Sequence, residues 1–256
     1  MKLYIPAKNS HKGQNGKLLL IGGSDLFHAA SLWALKVASR IVDLVHYSST
    51  EENNQIVKEL KKEFRDGIVI KRADVESYIQ EDDCILIGPG MERNNETKKI
   101  TERLLKNYPD KKWVIDAGAL QMMELSWIPQ DSILTPHARE FRRLFNNQPS
   151  EDIVKRMSYE FNCTILVKGV TDIVCTKGEC KMVKGGNSGM TKGGTGDVLA
   201  GLVASLYCKN IAFSAAYMGS VINKKAGDRL FKKVGYYFNA SDLADEIPKV
   251  MKSLIT

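Results

Sequence analysis

Short, almost unbroken apolar runs alternate along this sequence with longer amphipathic stretches, and few folds accommodate that rhythm. Residues 18–21 (LLLI), 67–71, 84–87, 113–115, 133–134 and 164–167 have strand length and strand composition. Helical periodicity occupies residues 29–42, 53–64, 96–107 and 151–160, between some of these runs. A strand that is apolar on both sides must be covered on both faces. Strands that alternate with helices therefore predict βαβ units and a mainly parallel sheet, an α/β fold of three layers. Residues 172–176 and 180–183 flank Lys177-Gly178-Glu179 and read as a hairpin. From Gly196 onward the pattern is helical, over 197–208, 212–231 and 241–254. No long linker, repeat or low-complexity segment divides the chain, so one domain over residues 1–256 is expected.

A chain of 256 residues buries about three quarters of its unfolded surface and needs no disulfide or metal to hold it. The net charge is +7, but Lys and Arg are spread over helical stretches such as 58–65 and 98–106. With no basic arm and no aromatic stacking motif, this charge favours small anionic ligands over nucleic acid. The five cysteines form no CxxC pair, and with four histidines they offer no zinc spacing. They are expected to be reduced, buried thiols of a cytoplasmic protein. His28 and His46 are read as structural. Residues 1–14 are polar and lack the apolar core of a secretion signal. No apolar run approaches the roughly 20 residues that span a bilayer.

Unusual residues collect where the strands should end: Gly22-Gly23-Ser24, Gly88-Pro89-Gly90, Asp116-Ala117-Gly118, Thr135-Pro136-His137 and Lys168-Gly169. Ligands of parallel α/β sheets bind at the carboxyl ends of the strands, so parallel neighbours would bring these five loops to one rim. The most informative segment is Gly189-Met190-Thr191-Lys192-Gly193-Gly194-Thr195-Gly196-Asp197, followed by the apolar run VLAGL. Glycines let backbone N–H groups approach an anion, and a helix start adds unpaired N–H groups and a positive dipole end. Asp197 at that start suits a general base, or simply a favourable first-turn acid. The segment is no Walker A loop, because its Lys precedes the glycines.

The run KGGTGDVLAGL resembles the anion-hole and catalytic-Asp motif of ribokinase-like folds, and more specifically that of the ADP/ATP-dependent NAD(P)H-hydrate dehydratases. IGGSDLFHAAS, LIGPGM, VIDAGAL, ILTPHAREFRRL, LVKG and YYFNASDLADEIP resemble further motifs of that family, in its order and over nearly the whole chain. Two positions depart from the pattern: Ala29 stands where the family has Gly, and Gly118 where it has Asp.

The resemblance implies a ribokinase-like α/β/α domain that phosphorylates the hydroxyl of hydrated NADH or NADPH at the expense of ADP or ATP, with Mg2+, and then expels phosphate. His137 in TPH resembles the branch that uses ADP. Asp197 is the implied base and also touches substrate, together with Ala30, Gly90 and His137. Lys168, Gly169, Asp172, Asn187, Ser188, Gly189, Met190, Gly193, Gly194, Thr195 and Gly196 fall on the nucleotide side. For Lys168 the alternative is a surface Lys, and for His137 a loop-capping role. Glu140 is read as orienting the helix that follows. Relatives imply a homo-oligomer, possibly a tetramer. The epimerase domain of fused members has no counterpart in these residues, so action on one epimer is expected, with a separate epimerase in the same pathway. A ribokinase-like small-molecule kinase and a non-catalytic nucleotide-binding regulator are the competing readings.

Overall fold

A computed structural model describes residues 2–255; Met1 and Thr256, the ends of the expected domain, lie outside the described residues. Among them, nine strands form one sheet. Its parallel part comprises β1 (Lys17–Ile21), β2 (Leu44–Ser48), β3 (Ile68–Val69), β4 (Cys84–Ile87), β5 (Lys112–Ile115), β6 (Ile133–Leu134) and β7 (Thr164–Val167). The antiparallel hairpin β8 (Asp172–Cys175) and β9 (Cys180–Val183) extends it, giving the order β3-β2-β1-β4-β5-β6-β7-β8-β9.

Alternate residues of each strand feed separate cores, which is why the central strands are continuously apolar. Leu18, Leu20, Leu86, Val114 and Leu166 pack under α1 (His28–Ala38), α2 (Glu51–Glu59), α8 (Thr195–Lys209), α9 (Ala212–Val234) and α10 (Ala240–Ile255). Leu19, Ile21, Ile85, Ile87, Trp113 and Ile165 face α3 (Val75–Glu81), α4 (Asn95–Asn107), α5 (Ala117–Met122), α6 (Ala138–Phe145) and α7 (Glu151–Glu160). The three layers are those of a ribokinase-like fold. No helix among the described residues is long and apolar enough to cross a membrane.

Two expectations need correction. The first helix stops at Ala38, and residues 44–48 form β2, which polar composition concealed. Tertiary partners satisfy the polar atoms of His46 and Tyr47: His46 Nδ1 lies 2.9 Å from buried Asp82, and the Tyr47 hydroxyl bonds Ser31 at 2.7 Å and accepts from Asn53 at 2.8 Å. Second, Cys175 and Cys180 are not reduced thiols. The hairpin register sets them directly opposite each other, and they form a disulfide. Cys84, Cys163 and Cys208 are free and buried.

Candidate active site

The order β1-β4-β5-β6-β7 makes the five glycine- and proline-bearing loops consecutive along one edge of the sheet. Successive connections run outward in opposite directions from the boundary between β1 and β4. That switch opens a crevice at the carboxyl ends of the strands.

At the end of β5, Asp116 is almost fully buried. Its Oδ1 accepts from Lys168 Nζ at 2.7 Å and from Thr135 Oγ1 at 2.9 Å. Lys168 leaves β7 with its N–H bonded to Pro136 O at 2.8 Å, so two neighbouring strand ends fix the pair. Burial works against the ammonium, but the charges of Asp116, Glu140 and Asp197 outweigh it and raise the Lys168 pKa. Lys168 is therefore no free surface Lys; it joins the two aspartates of the site.

Asp197 lies in the first turn of α8. Burial, followed by repulsion from Asp116, pushes its carboxyl up to about 7, against the pull of Lys168. An acid poised near neutrality is suited to accept a proton during turnover.

The glycine run lies beside this acid. Gly194 caps α8 at φ +93°, a left-handed conformation, and a Cβ there would collide with the Trp33 ring. Trp33, one turn beyond Ala30 on α1, thus presses α1 against the glycine run. The N–H groups of Gly194 and Gly196 have no acceptor among the described residues, whereas Thr195 N–H reaches Lys192 O at 3.4 Å. Thr195 serves more through its hydroxyl, which donates to Met190 O at 2.6 Å. Asn187 Oδ1 accepts from Gly189 N at 3.0 Å and its Nδ2 donates to Gly227 O at 3.0 Å. Ser188, Gly189 and Met190 belong to the short helical turn that follows, and Gly193 has open space beside it. Lys192 donates to Phe238 O at 2.6 Å and to Tyr236 O. Residues 187–196 are consequently held as one unit at the start of α8.

The remaining predicted residues divide between contact and support. Asp172 is buried with both oxygens engaged: Oδ1 accepts from Gly169 N at 2.8 Å and Oδ2 from Ser220 Oγ at 2.7 Å. It shapes the Lys168-Gly169 loop. His137 Nδ1 accepts from the N–H groups of Arg139 and Glu140, at 3.1 and 3.2 Å, while Glu140 Oε2 accepts from His137 N at 2.9 Å. This reciprocal pair starts α6 in the manner of a capping box and commits one ring nitrogen to structure. The His137 side chain is half-exposed, and its Nε2 lies 3.5 Å from Glu140 Oε1. Gly90 packs against Ala30 and the Phe27 carbonyl.

Asp116, Thr135 and Lys224 make contacts at the site that sequence reading did not assign. Asp116 was visible only as a strand-end acid. Lys224, in α9, is buried and donates to the carbonyls of Gly169 and Val170 at 3.0 Å and of Gly185 at 3.2 Å, tying two loops together. A Lys on the inward side of a long helix was its one signal.

Residues 18–249 match the Carb_kinase family, described as NAD(P)H-hydrate dehydratase. The chain belongs to the NAD(P)H-hydrate dehydratase family. It is 32% identical to the ADP-dependent (S)-NAD(P)H-hydrate dehydratase of Nitrosopumilus maritimus, over 98% of this chain and 94% of that one. It is 39% identical to the bifunctional NAD(P)H-hydrate repair enzyme of Methanocaldococcus jannaschii, over 95% of this chain. The chain spans about half the length of that relative. In fold it resembles the Bacillus subtilis ADP/ATP-dependent NAD(P)H-hydrate dehydratase co-crystallised with ATP/Mg2+, with a TM-score of 0.83, 24% identity, and coverage of 97% of this chain and 93% of that one.

Within this dehydratase family the departure at Gly118 has a packing cause. Gly118 N bonds Gly88 O at 3.3 Å, and a Cβ at 118 would run into the Met91 carbonyl oxygen. No side chain fits there without moving the GPG loop. Gly118→Asp is expected to cost about 3 kcal/mol or more. For a domain of this size that is a fall in Tm of roughly 6–12 °C by calorimetry. An unchanged Tm would show that the loop gives way freely.

Proposed function

We propose that this chain repairs hydrated NADH and NADPH, acting on the S epimer, by nucleotide-dependent dehydration. The products are NAD(P)H, phosphate, and AMP from ADP or ADP from ATP. The observation that carries the mechanism is Asp197, protonatable near neutrality at a helix N-terminus, beside the Asp116–Lys168 pair and the unpaired N–H groups of Gly194 and Gly196. Asp197 accepts the proton of the substrate hydroxyl as its oxygen bonds to the terminal phosphorus of the nucleotide. The bond from phosphorus to the leaving nucleotide oxygen breaks. The glycine N–H groups and Lys168 stabilise the charge spread over the transferred group. Hydroxide leaves poorly and phosphate well, so the new ester opens with help from the ring-nitrogen lone pair. A proton leaves the neighbouring carbon, and the double bond returns.

ADP is favoured by His137 in the TPH segment and by the relatives named as ADP-dependent. Magnesium would arrive on the nucleotide phosphates and neutralise their charge. No cluster of three His, Cys, Asp or Glu among the described residues is poised to hold that ion apart from the nucleotide. A cytoplasmic homo-oligomer, acting in a pathway that also includes an epimerase, belongs to the same reading, which family membership supports.

The test combines pure protein with hydrated NADH and either ADP or ATP and follows the absorbance of the reduced nicotinamide. Recovery of that absorbance with release of phosphate is expected, faster with ADP. Build-up of a phosphorylated product without NADH would show a kinase instead. No recovery with either nucleotide would sink the reading.

A further inference from the structure

A cavity of about 120 Å³ opens on the same rim, among the segments that follow β1, β2, β3 and β4. Ser24, Thr50, Arg72 and Asn94 line it. The side-chain oxygens of Ser24, Thr50 and Asn94 each already accept one backbone hydrogen bond. Ser24 Oγ accepts from Phe27 N at 3.1 Å, Thr50 Oγ1 from Asn53 N at 3.3 Å, and Asn94 Oδ1 from Thr97 N at 2.9 Å. Two hydroxyl protons and one amide NH2 therefore remain as donors. Arg72 uses its Nε on Ser49 O at 3.2 Å. Its two terminal nitrogens have no hydrogen-bond or ion-pair partner among the described residues. The N-termini of α2 and α4 open beside the cavity, at their caps Thr50 and Asn94. The carboxylates at the mouth are Asp25 and Glu96, both exposed, and half-buried Glu92. Water and salt screen an exposed charge far more than a recessed guanidinium.

Two hydroxyl donors, an amide NH2 and a forked cation, with room for one tetrahedral group, point to an oxyanion site of phosphate size, against which the lining carboxylates Asp25, Glu92 and Glu96 count. Arg72 reaches the end of β2, three strand spacings from β5, or roughly 14 Å from the Asp116 strand end. An extended dinucleotide spans that distance with its reacting ring at Asp197. The exposed Leu26 and Phe27 lie along the path.

We propose that this cavity receives the adenosine 2′-phosphate of hydrated NADPH, and that Arg72 sets a preference for NADPH hydrate over NADH hydrate. The assignment rests on the reading that the substrate is a hydrated nicotinamide dinucleotide. NADP+ and NAD+ differ only in that phosphate, so their binding isolates it from chemistry. With saturating ADP in the nucleotide site, calorimetry on the wild-type protein should find NADP+ bound at least tenfold more tightly than NAD+. In Arg72→Gln, shown to be folded by its thermal transition, the ratio should collapse towards one. Arg72→Lys, which keeps charge but loses the fork, should fall between. The ratio of kcat/KM for the two hydrates should follow the same order. Equal affinities in the wild type would overturn the proposal, as would a ratio retained in Arg72→Gln. An equal loss for both ligands would also overturn it, by moving Arg72 to the shared pyrophosphate. Selective NADP+ binding without turnover of either hydrate would leave the phosphate site standing and sink the proposed reaction instead.

Discussion

Asp197→Asn should lower kcat by roughly 10³-fold, within the 10²–10⁴ range of a lost general base, while ADP still binds within a few-fold of wild type. The two measurements separate chemistry from binding: kcat from NADH recovery, and affinity from calorimetry with ADP. Retained turnover would remove Asp197 from its role. The wild-type rate should fall as pH drops through about 7, with a slope of one proton, because the carboxyl titrates there and only its ionised form accepts a proton. The same carboxyl costs stability. In the unfolded chain it titrates near 3.8, so between 3.8 and about 7 the native state holds a proton that the unfolded chain has released. Stability therefore declines as pH rises through that window, and the full cost is present above about 7. Asp197→Asn should accordingly raise stability at pH 8, on the order of 2 kcal/mol, and change it little at pH 4. An inactive variant that melts higher than wild type only at the higher pH would show the site's strain directly.

Lys168→Met should be the most damaging change outside the glycine run. It strands Asp116, which is 1% exposed and has Lys168 at 2.7 Å as its one ion-pair partner among the described residues. Removing one member of a buried pair costs about 3–5 kcal/mol, because the other charge is left without compensation. The double variant Asp116→Asn with Lys168→Met should recover much of that loss, and a thermal or urea melt of the three proteins reads this coupling. Activity should fall by about 10²-fold or more as the transferred phosphoryl loses a fixed cation. The surviving activity carries a sharper signature. Lys168 pulls the Asp197 pKa down and Asp116 pushes it up. The acid limb of the pH–rate profile should therefore move to higher pH in Lys168→Met and to lower pH in Asp116→Asn. Shifts in the same direction would contradict this arrangement of charges.

Much of this architecture was legible because it follows from local periodicity. The runs at 18–21, 84–87 and 164–167 became β1, β4 and β7, and the long helices after Gly196 appeared nearly as read. The hairpin at 172–183 also formed, but its disulfide did not show in a count of cysteines. Pairing depends on register, which places Cys175 opposite Cys180 only once the turn closes. β2 escaped for a related reason. LVHYS looks too polar for an inner strand until Asp82, Ser31 and Asn53 arrive from elsewhere to satisfy it.

The candidate site divides along the same line. The glycine run, Asp197 and the strand-end loops stand in the sequence as residue types suited to an anion and a base, because glycine conformation and helix N-termini are local properties. The sequence also carried the order of motifs that marks the family. It left the contacts of Asp116, Thr135 and Lys224 unassigned, left His137 open between ligand and cap, and did not show that Asp172 accepts from Gly169 and Ser220. Those contacts, and the reason Gly118 carries no side chain, come from the tertiary structure alone. Charge interaction and close packing act through space. Asp116 and Lys168 are separated by the chain from β5 to β7, yet lie 2.7 Å apart. The pKa of Asp197 depends on both of them, and on a burial that no local pattern records.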